Sequence, residues 1–513
     1  MEIGSFIINI LTSGMYPEPM DALREYVQNS YDAIRQAEKT ELLMPNFGRV
    51  RIIIDAEKNE VVIRDNGIGI PAAEARSRLM DIGSSKKILG DDAGFRGIGR
   101  LAGLAYADKV MFRTSAYGEP TETELTFDAA GIRKNISPSN RKPESAVQSV
   151  ERFTKFKQTE YADDSHFFEV KLVGVDRDAC PFLERDPVTT YLRQVAPVEF
   201  DTHRFTYATA FVNPYLEEYG ARRTIKLTVE IGNEGEEEIL KPYKTYHHAG
   251  NKRDNKMDVV GIEPFADLAT PPKWVGWISQ TRELPGVIGD EEVRGIQFRM
   301  NNILIGNHNT MSCIFEKLAK SNTRFNGYFS GEIHILHPDI VPNARRDYFE
   351  DTPTWRVVEA ELKELARILV KRVRDNEQAR NRPTSAVERE VDQTIDEVDE
   401  EREEGFATEA HRTRAVEKLK VQEEKIEKAI TSERTPEEKE ILRLKKEAAA
   451  RKREEIEEEW KTLVDESSLN KDQRKILRMV LEVIDKELGP ANCRKVAVEV
   501  DKRLKRRRSK SPG

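Results

Sequence analysis

The sequence predicts an α+β protein with a long helical end, and three observations carry that prediction. Within the first hundred residues the pattern runs from helix to strand to a glycine loop, in the stretches LREYVQNSYDA (Leu23 to Ala33), IRDNGIGI (Ile63 to Ile70) and GFRGIGRLAGLAYADKV (Gly94 to Val110). From about 198 to 375, strand runs such as Ile225 to Ile231, Gly295 to Ile305 and Gly331 to Leu336 alternate with short helices. After Pro383 charged residues crowd around a thin apolar stripe.

The first stretch reads as a helix, because Leu23, Val27, Ser30 and Ile34 recur on one face and good helix formers fill the gaps. At about 100° per residue, Glu25, Asn29 and Asp32 fall within a sector of roughly 60° on the opposite side. A carboxylate beside bound phosphate can orient and deprotonate an attacking water, and an Asn side-chain oxygen suits Mg²⁺. The same spacing also describes an ordinary amphipathic helix with a solvated polar face.

Val61, Val62 and Ile63 form a β-branched run that stops at Asp65-Asn66-Gly67-Ile68-Gly69, which puts an acid at a strand end where the chain turns sharply. A buried Asp65 can accept a hydrogen bond from an exocyclic amine, and Gly69 lets a flat ring approach, which suits adenine. A plain Asp-Asn-Gly hairpin turn has the same sequence. In the third stretch Gly94, Gly97 and Gly99 precede a small and apolar run, so backbone N–H groups and a helix N-terminus would face phosphate oxygens. The spacing GxxGxG is neither the P-loop nor the Rossmann fingerprint.

Taken together, these stretches resemble the gyrase, heat-shock-ninety, histidine-kinase and MutL superfamily of ATPases, and most of all its ninety-kilodalton heat-shock chaperone branch. The resemblance runs in order over roughly residues 1 to 375, although its specific motifs fill a small part of that length. It implies a Bergerat-type α/β sandwich, with helices on one face of a mixed, mostly antiparallel sheet, followed by a transducer-like α/β domain. It also implies that Glu25 activates water, that Asn29 binds Mg²⁺, that Arg24 can hold the Glu, and that Asp65, Gly67 and Gly69 read adenine. Asp32 joins the cofactor-binding set. Ile82-Gly83-Ser84-Ser85-Lys86-Lys87 is similar to the lid-side IGxSxK run, which adds Ser84, Ser85 and Lys86, and the glycine box adds Gly94, Phe95, Arg96, Gly97, Ile98 and Gly99. No firm equivalent of the Thr that closes the pocket from a later strand is present, and Ser165 or His166 is the nearest candidate. The run His337 to Asp347 resembles a middle-domain loop in which an Arg three residues after an Asn reaches the terminal phosphate; Arg346 takes that position. Arg345 and Arg346 could equally be surface charge balancing Asp339 and Asp347.

At 513 residues, several domains are expected at about 100 to 200 residues each. Five parts are expected: an ATP-binding domain over 1–180, a transducer-like domain over 181–375 entered through a connector from Pro187 to Pro197, a charged linker or coiled coil over 376–465, a helical module over 466–505, and a basic tail over 506–513. Residues 354 to 375 read as a helix. Val387, Val391, Ile395 and Val398 form a stripe, and Thr435-Pro436-Glu437-Glu438 and Asn470 with Gln473 read as capping boxes opening further helices. Strict heptads do not persist, so a coiled coil, solvated helices and partial disorder all stay open.

Net charge is −8, which opposes a whole-protein nucleic-acid binder, while Arg503 to Lys510 is locally basic. Cys180, Cys313 and Cys493 are far apart and no CxxC occurs, so neither a disulfide framework nor a zinc site is expected. The start lacks the basic n-region of a signal peptide and no apolar run approaches the roughly 20 residues of a membrane span, so a soluble cytoplasmic protein without a membrane partner is expected.

The expected function is Mg²⁺-dependent ATP hydrolysis driving a dimeric clamp or switch, with ATP and Mg²⁺ as ligands and a homodimer as the working form. The apolar stretch Phe6, Ile7, Ile8, Ile10 and Leu11 is one candidate contact between copies, or else a core element of its own domain. A MutL-like or microrchidia-like DNA clamp is the alternative. A histidine kinase would need a phosphoacceptor helix before the ATP domain, and here the Asn box begins within the first 30 residues.

Overall fold

The computed structural model describes residues 8, 14, 18–81, 99–137, 144–161, 165–178, 180–232, 235–250, 256–282, 284, 286–381, 383–403, 405–430, 434–458, 464 and 469–508. These residues divide into two compact units, 1–370 and 371–513.

The first unit opens with helix α1 (Met20–Lys39), then strands β1 (Arg49–Asp55) and β2 (Glu60–Asp65), helix α2 (Ala72–Met80) and a 3₁₀ turn at Gly99–Ala105. Strands β3 (Lys109–Ser115) and β4 (Thr121–Asp128), helices α3 (Ala129–Ile136) and α4 (Ala146–Arg152), and strands β5 (Thr154–Glu160) and β6 (Phe167–Val173) follow. Alternation explains which way each strand faces. In β1, Val50, Ile52 and Ile54 are buried between more exposed neighbours, and in β2 the buried positions are Val61, Ile63 and Asp65. The period that turns two apolar side chains into the core therefore turns the Asp65 carboxyl in with them. Ile8 is also buried in this core, as the core alternative for the N-terminal stretch requires; Phe6, Ile7, Ile10 and Leu11 lie outside the described residues.

Helix α5 (Arg185–Val195) occupies the expected connector, with Pro187 in its first turn where a missing N–H is tolerated. After α6 (Asn213–Glu218) come β7 (Lys226–Ile231) and β8 (Glu236–Glu238). Contrary to the expected division at 180, β7 does not open the second sheet. It pairs in parallel with β1, Ile52 opposite Val229, and with β8 it completes an eight-stranded sheet of order β5-β4-β3-β6-β2-β1-β7-β8. The reason is pairing: a chain cut at 180 would leave the backbone groups on the outer side of β1 without partners.

The second sheet contains β9 (Tyr246–His248), β10 (Lys256–Ala266), β11 (Trp274–Thr281), β12 (Gly295–Met300), β13 (Ile303–Ile305) and, after α7 (Ser312–Leu318), β14 (Ser330–Ile335), in the order β13-β12-β14-β11-β10-β9. The run read as one strand from Gly295 to Ile305 is a hairpin, because Asn301 and Asn302 both take positive φ (51° and 62°). Helix α5 packs on α1, β7 and β13, and so touches both sheets. A fully buried ionic cluster stands beside it: Lys241 Nζ lies 2.9 Å from Glu332 Oε2, Arg299 also pairs with Glu332, and Arg299 donates to the Gln194 carbonyl of α5.

Helix α8 (Pro353–Asn381) covers and extends the helix expected over 354 to 375, and the division between the units falls inside it. The second unit then contains α9 (Thr384–Glu403), α10 (Glu409–Ile430) and α11 (Pro436–Glu458). Ion pairs fix their directions. Asp392 with Lys445 and Asp399 with Lys452 place α9 and α11 parallel, whereas Glu390 with Lys425 and Glu401 with Lys418 place α10 antiparallel to α9. The region expected as linker or coiled coil is thus a three-helix bundle around Val387, Val391, Ile426 and Leu442. Both capping boxes form, at Thr435 with Glu438 and at Asn470 with Gln473. The latter opens α12 (Lys471–Leu488), which pairs with α13 (Pro490–Arg508) around Leu481 and Cys493. Among the described residues no helix is long and apolar enough to cross a membrane.

Candidate functional site

The site grows from α1 and the turn after β2. Helix α1 does not carry a solvated polar face: Arg24, Glu25, Gln28 and Asp32 are all buried, Glu25 at 6% exposure, and Asn29 is half-buried on the same side. Burying this many polar groups along one helix costs free energy unless each finds a partner. Gln28, 1% exposed, has no hydrogen-bond partner at either amide atom among the described residues.

Asp65 shows the same feature at the other end. Its Oδ1 accepts the Gly67 N–H at 2.8 Å, while Oδ2 is buried with no hydrogen-bond partner among the described residues. Burial pushes its pKa up to about 7, against the opposing pull of the Gly67 and Phe168 backbone and the Ser30 side chain. Gly69 takes φ +68°, and a Cβ there would lie 2.0 Å from the Ser115 carbonyl oxygen, so the fold itself demands glycine. The turn is pinned on two further sides. The Ile70 N–H donates to Thr114 Oγ1 at 2.9 Å, and that hydroxyl donates to the Phe167 carbonyl at 2.9 Å. His166 Nδ1 lies 2.7 Å from the Gly67 carbonyl, whereas Ser165 donates to the Tyr161 hydroxyl at 3.3 Å. Of the two candidates for the closing wall, His166 therefore touches the turn.

Glu25 lies about two turns of α1 before Ala33, whose carbonyl accepts from the Ile68 N–H of this turn at 3.1 Å. A Cβ on Gly99 would come within 2.2 Å of Glu25 Oε2, so glycine is what lets the chain press against the carboxylate. On the other oxygen, Arg346 Nε stands 3.0 Å from Glu25 Oε1, both side chains being almost fully buried. Arg346 belongs to the loop between β14 and α8, and its backbone takes φ +57°, uncommon for a residue with a side chain. Arg345 does not share that place; its carbonyl accepts from Arg24 Nη2 at 3.3 Å. The resemblance implied that Arg24 holds Glu25. Arg24 pairs with Asp21 at 3.1 Å, and Arg346 makes an ion pair with Glu25. Ser84, Ser85, Lys86, Gly94, Phe95, Arg96, Gly97 and Ile98 lie outside the described residues.

Sequence reasoning missed Asp21, Gln28, Thr114 and Tyr191. Gln28 had a local signal, since three residues separate it from Glu25 and four from Asp32, the spacing of one helix face. Thr114 and Tyr191 had none, because their partners are distant in the chain.

Residues 17–159, which hold the helix with buried acids, the strand-end Asp aimed into the core and its glycine turn, match the histidine kinase-, DNA gyrase B- and HSP90-like ATPase family. Similar curated proteins are named chaperone protein HtpG. The protein from Shewanella loihica (strain ATCC BAA-1088 / PV-4) is 28% identical over 176 residues, covering 31% of this chain and 27% of the relative. The one from Shewanella pealeana (strain ATCC 700345 / ANG-SQ1) is 30% identical over 143 residues, 24% of this chain and 22% of the relative. The one from Yersinia pestis is 29% identical over 143 residues, covering 24% and 23%. The match thus spans about a quarter of the length of these relatives.

Proposed function

We propose that this protein hydrolyses ATP with Mg²⁺ and uses the reaction to drive a dimeric, nucleotide-gated clamp of the heat-shock-chaperone kind. The observation that carries the reading is the buried pairing of Glu25 with Arg346, a base candidate on the ATPase-domain helix and a cation delivered by a loop beyond the second sheet. ATP fits the rest of the site. Asp65 Oδ2, with no hydrogen-bond partner among the described residues, would accept from the adenine amine, and the terminal phosphate would lie toward Glu25 and Gly99.

In this mechanism Glu25 takes a proton from water, the water oxygen bonds to the terminal phosphorus, and the bridging bond to ADP breaks. Arg346 offsets charge on the phosphoryl oxygens, so hydrolysis requires the two α/β regions to be docked. Mg²⁺ would be held by the Asn29 carboxamide. When bound, it neutralises phosphate charge. Self-association is assigned to α12, where Ile476, Met479, Val480 and Val483 are exposed along one side. The chaperone role given by the relatives' name is carried over as part of this proposal.

Calorimetry and phosphate release on Glu25→Ala test the reading. ATP binding is expected to persist while turnover is lost; hydrolysis at the parental rate would refute the assigned chemistry. The basic run Arg503 to Lys510 favours the DNA clamp as a second reading. Affinity for duplex DNA that falls steeply with salt would support that clamp, and suppression of client aggregation would support the chaperone.

A further inference from the structure

Four charged side chains meet around the start of α1: Asp21, Arg24, Glu25 and Arg346. Arg24 Nη1 lies 3.1 Å from Asp21 Oδ1, and Arg346 Nε lies 3.0 Å from Glu25 Oε1. Arg24, Glu25 and Arg346 are each exposed by about a tenth or less, and Asp21 by 16%. In so dry a place each guanidinium requires its own carboxylate. With Asp21 removed, Arg24 would have Glu25, the next residue, as the nearest remaining carboxylate of the group, in competition with Arg346.

Asp21 is itself held. The Tyr191 hydroxyl of α5 donates to Asp21 Oδ1 at 3.0 Å. With one end of its guanidinium on Asp21, Arg24 uses the other, Nη2, to grip the Arg345 carbonyl at 3.3 Å. That carbonyl precedes the residue whose side chain must reach Glu25. The loop is then fixed from behind, since the Arg346 N–H donates to the Asn343 carbonyl at 3.0 Å and the Arg346 carbonyl accepts from the Gly306 N–H at 2.7 Å. These bonds keep Arg346 in its left-handed conformation.

We propose that Asp21, oriented by Tyr191, is a positioning residue for ATP hydrolysis: it holds Arg24 on the Arg345 carbonyl, which sets Arg346 at the terminal-phosphate end of the site and leaves Glu25 to act on water. The inference rests on the proposed roles of Glu25 and Arg346. Neither Asp21 nor Tyr191 approaches the nucleotide in this scheme; both act through Arg24 and the loop.

The test is a double-mutant cycle on the full chain, with ATP affinity and turnover measured separately. Asp21→Asn is expected to slow turnover about tenfold with ATP affinity within about twofold of the parent, and Asp21→Glu to recover most of the rate. Tyr191→Phe is expected to slow it about twofold to threefold. In an Arg346→Ala background, Asp21→Asn should add less than about a twofold further loss, because both changes remove one action. Parental turnover in Asp21→Asn, or an equal slowing with and without Arg346, overturns this inference alone. Parental turnover in Arg346→Ala overturns the cross-region arginine of the proposed function, and this inference with it. Should Asp21→Asn fail to bind ATP, the same cycle run with Tyr191→Phe decides, since it removes only a hydroxyl.

Discussion

Helix α1 of the ATPase domain and helix α10 of the bundle both bury a glutamine, and the two differ in one respect. Gln422 of α10 sits in a seam with Ala415, Leu419, Ile426 and Ala429, and its amide donates to Thr394 at 3.1 Å and to Glu390 at 3.3 Å. Gln28 of α1 is more deeply buried and has no partner at either amide atom among the described residues. The surrounding charges follow suit: in the bundle they form pairs at the surface, as with Lys445 and Asp392, whereas Glu25 and Asp65 are buried. A buried polar group that the protein satisfies itself belongs to the scaffold. One left unsatisfied beside the buried acids of α1 is consistent with a ligand there, because the cost is recovered on binding.

The strongest way to break this contrast is Asp65→Asn, which puts a possible donor where an acceptor should face the adenine amine; calorimetry should find nucleotide binding abolished. Next in size is Glu25→Gln, for which a phosphate-release assay should show turnover lower by about 10² to 10⁴ with ATP still bound.

The ionisation of Asp65 sharpens the comparison by pH. Its folded pKa, about 7, is above the ordinary value of 3.8, so between those limits the folded state holds a proton that the unfolded chain has lost. The stabilisation from this group is therefore complete below about pH 4 and disappears as the pH rises through about 7, and Asp65→Asn should remove that slope from the melting profile. Nucleotide, which needs the acceptor form, should bind more tightly as pH rises through the same window and release protons on binding.

In the bundle the expectations are those of an ordinary core. Leu419→Ala should cost the helical unit about 2–5 kcal/mol in denaturant unfolding and leave ATP affinity of the ATPase domain unchanged. Smallest is Lys445→Ala, whose partly exposed pair with Asp392 should matter by no more than about 1 kcal/mol. A large effect there would mean that the charged faces hold the bundle together.

Much of the site was legible because its signals are local. Glu25, Asn29 and Asp32 are related by helix period, and Asp65 by strand period and the glycines that follow, so one stretch of chain suffices to place each. Arg346 was legible only through resemblance to a known loop, since nothing nearby in sequence marks it. The bundle was half legible: Ala415, Gln422, Ala429 and Ala449 occupy buried seam positions, and such small or polar residues thin the stripe that would announce heptads.

The sequence by itself thus determined helix α1, the strand that ends at Asp65 and the capped starts of the late helices, all of which follow from short-range periodicity and turn chemistry. Tertiary structure alone decided that β7 returns to the first sheet, that Thr114 and His166 hold the Asp65 turn, and that Arg24 serves Asp21 and the Arg345 carbonyl. Those contacts join residues as many as 321 positions apart. Pairing of strand edges and compensation of buried charge act through space, and a residue's own neighbours in the chain carry no record of which distant group will answer it.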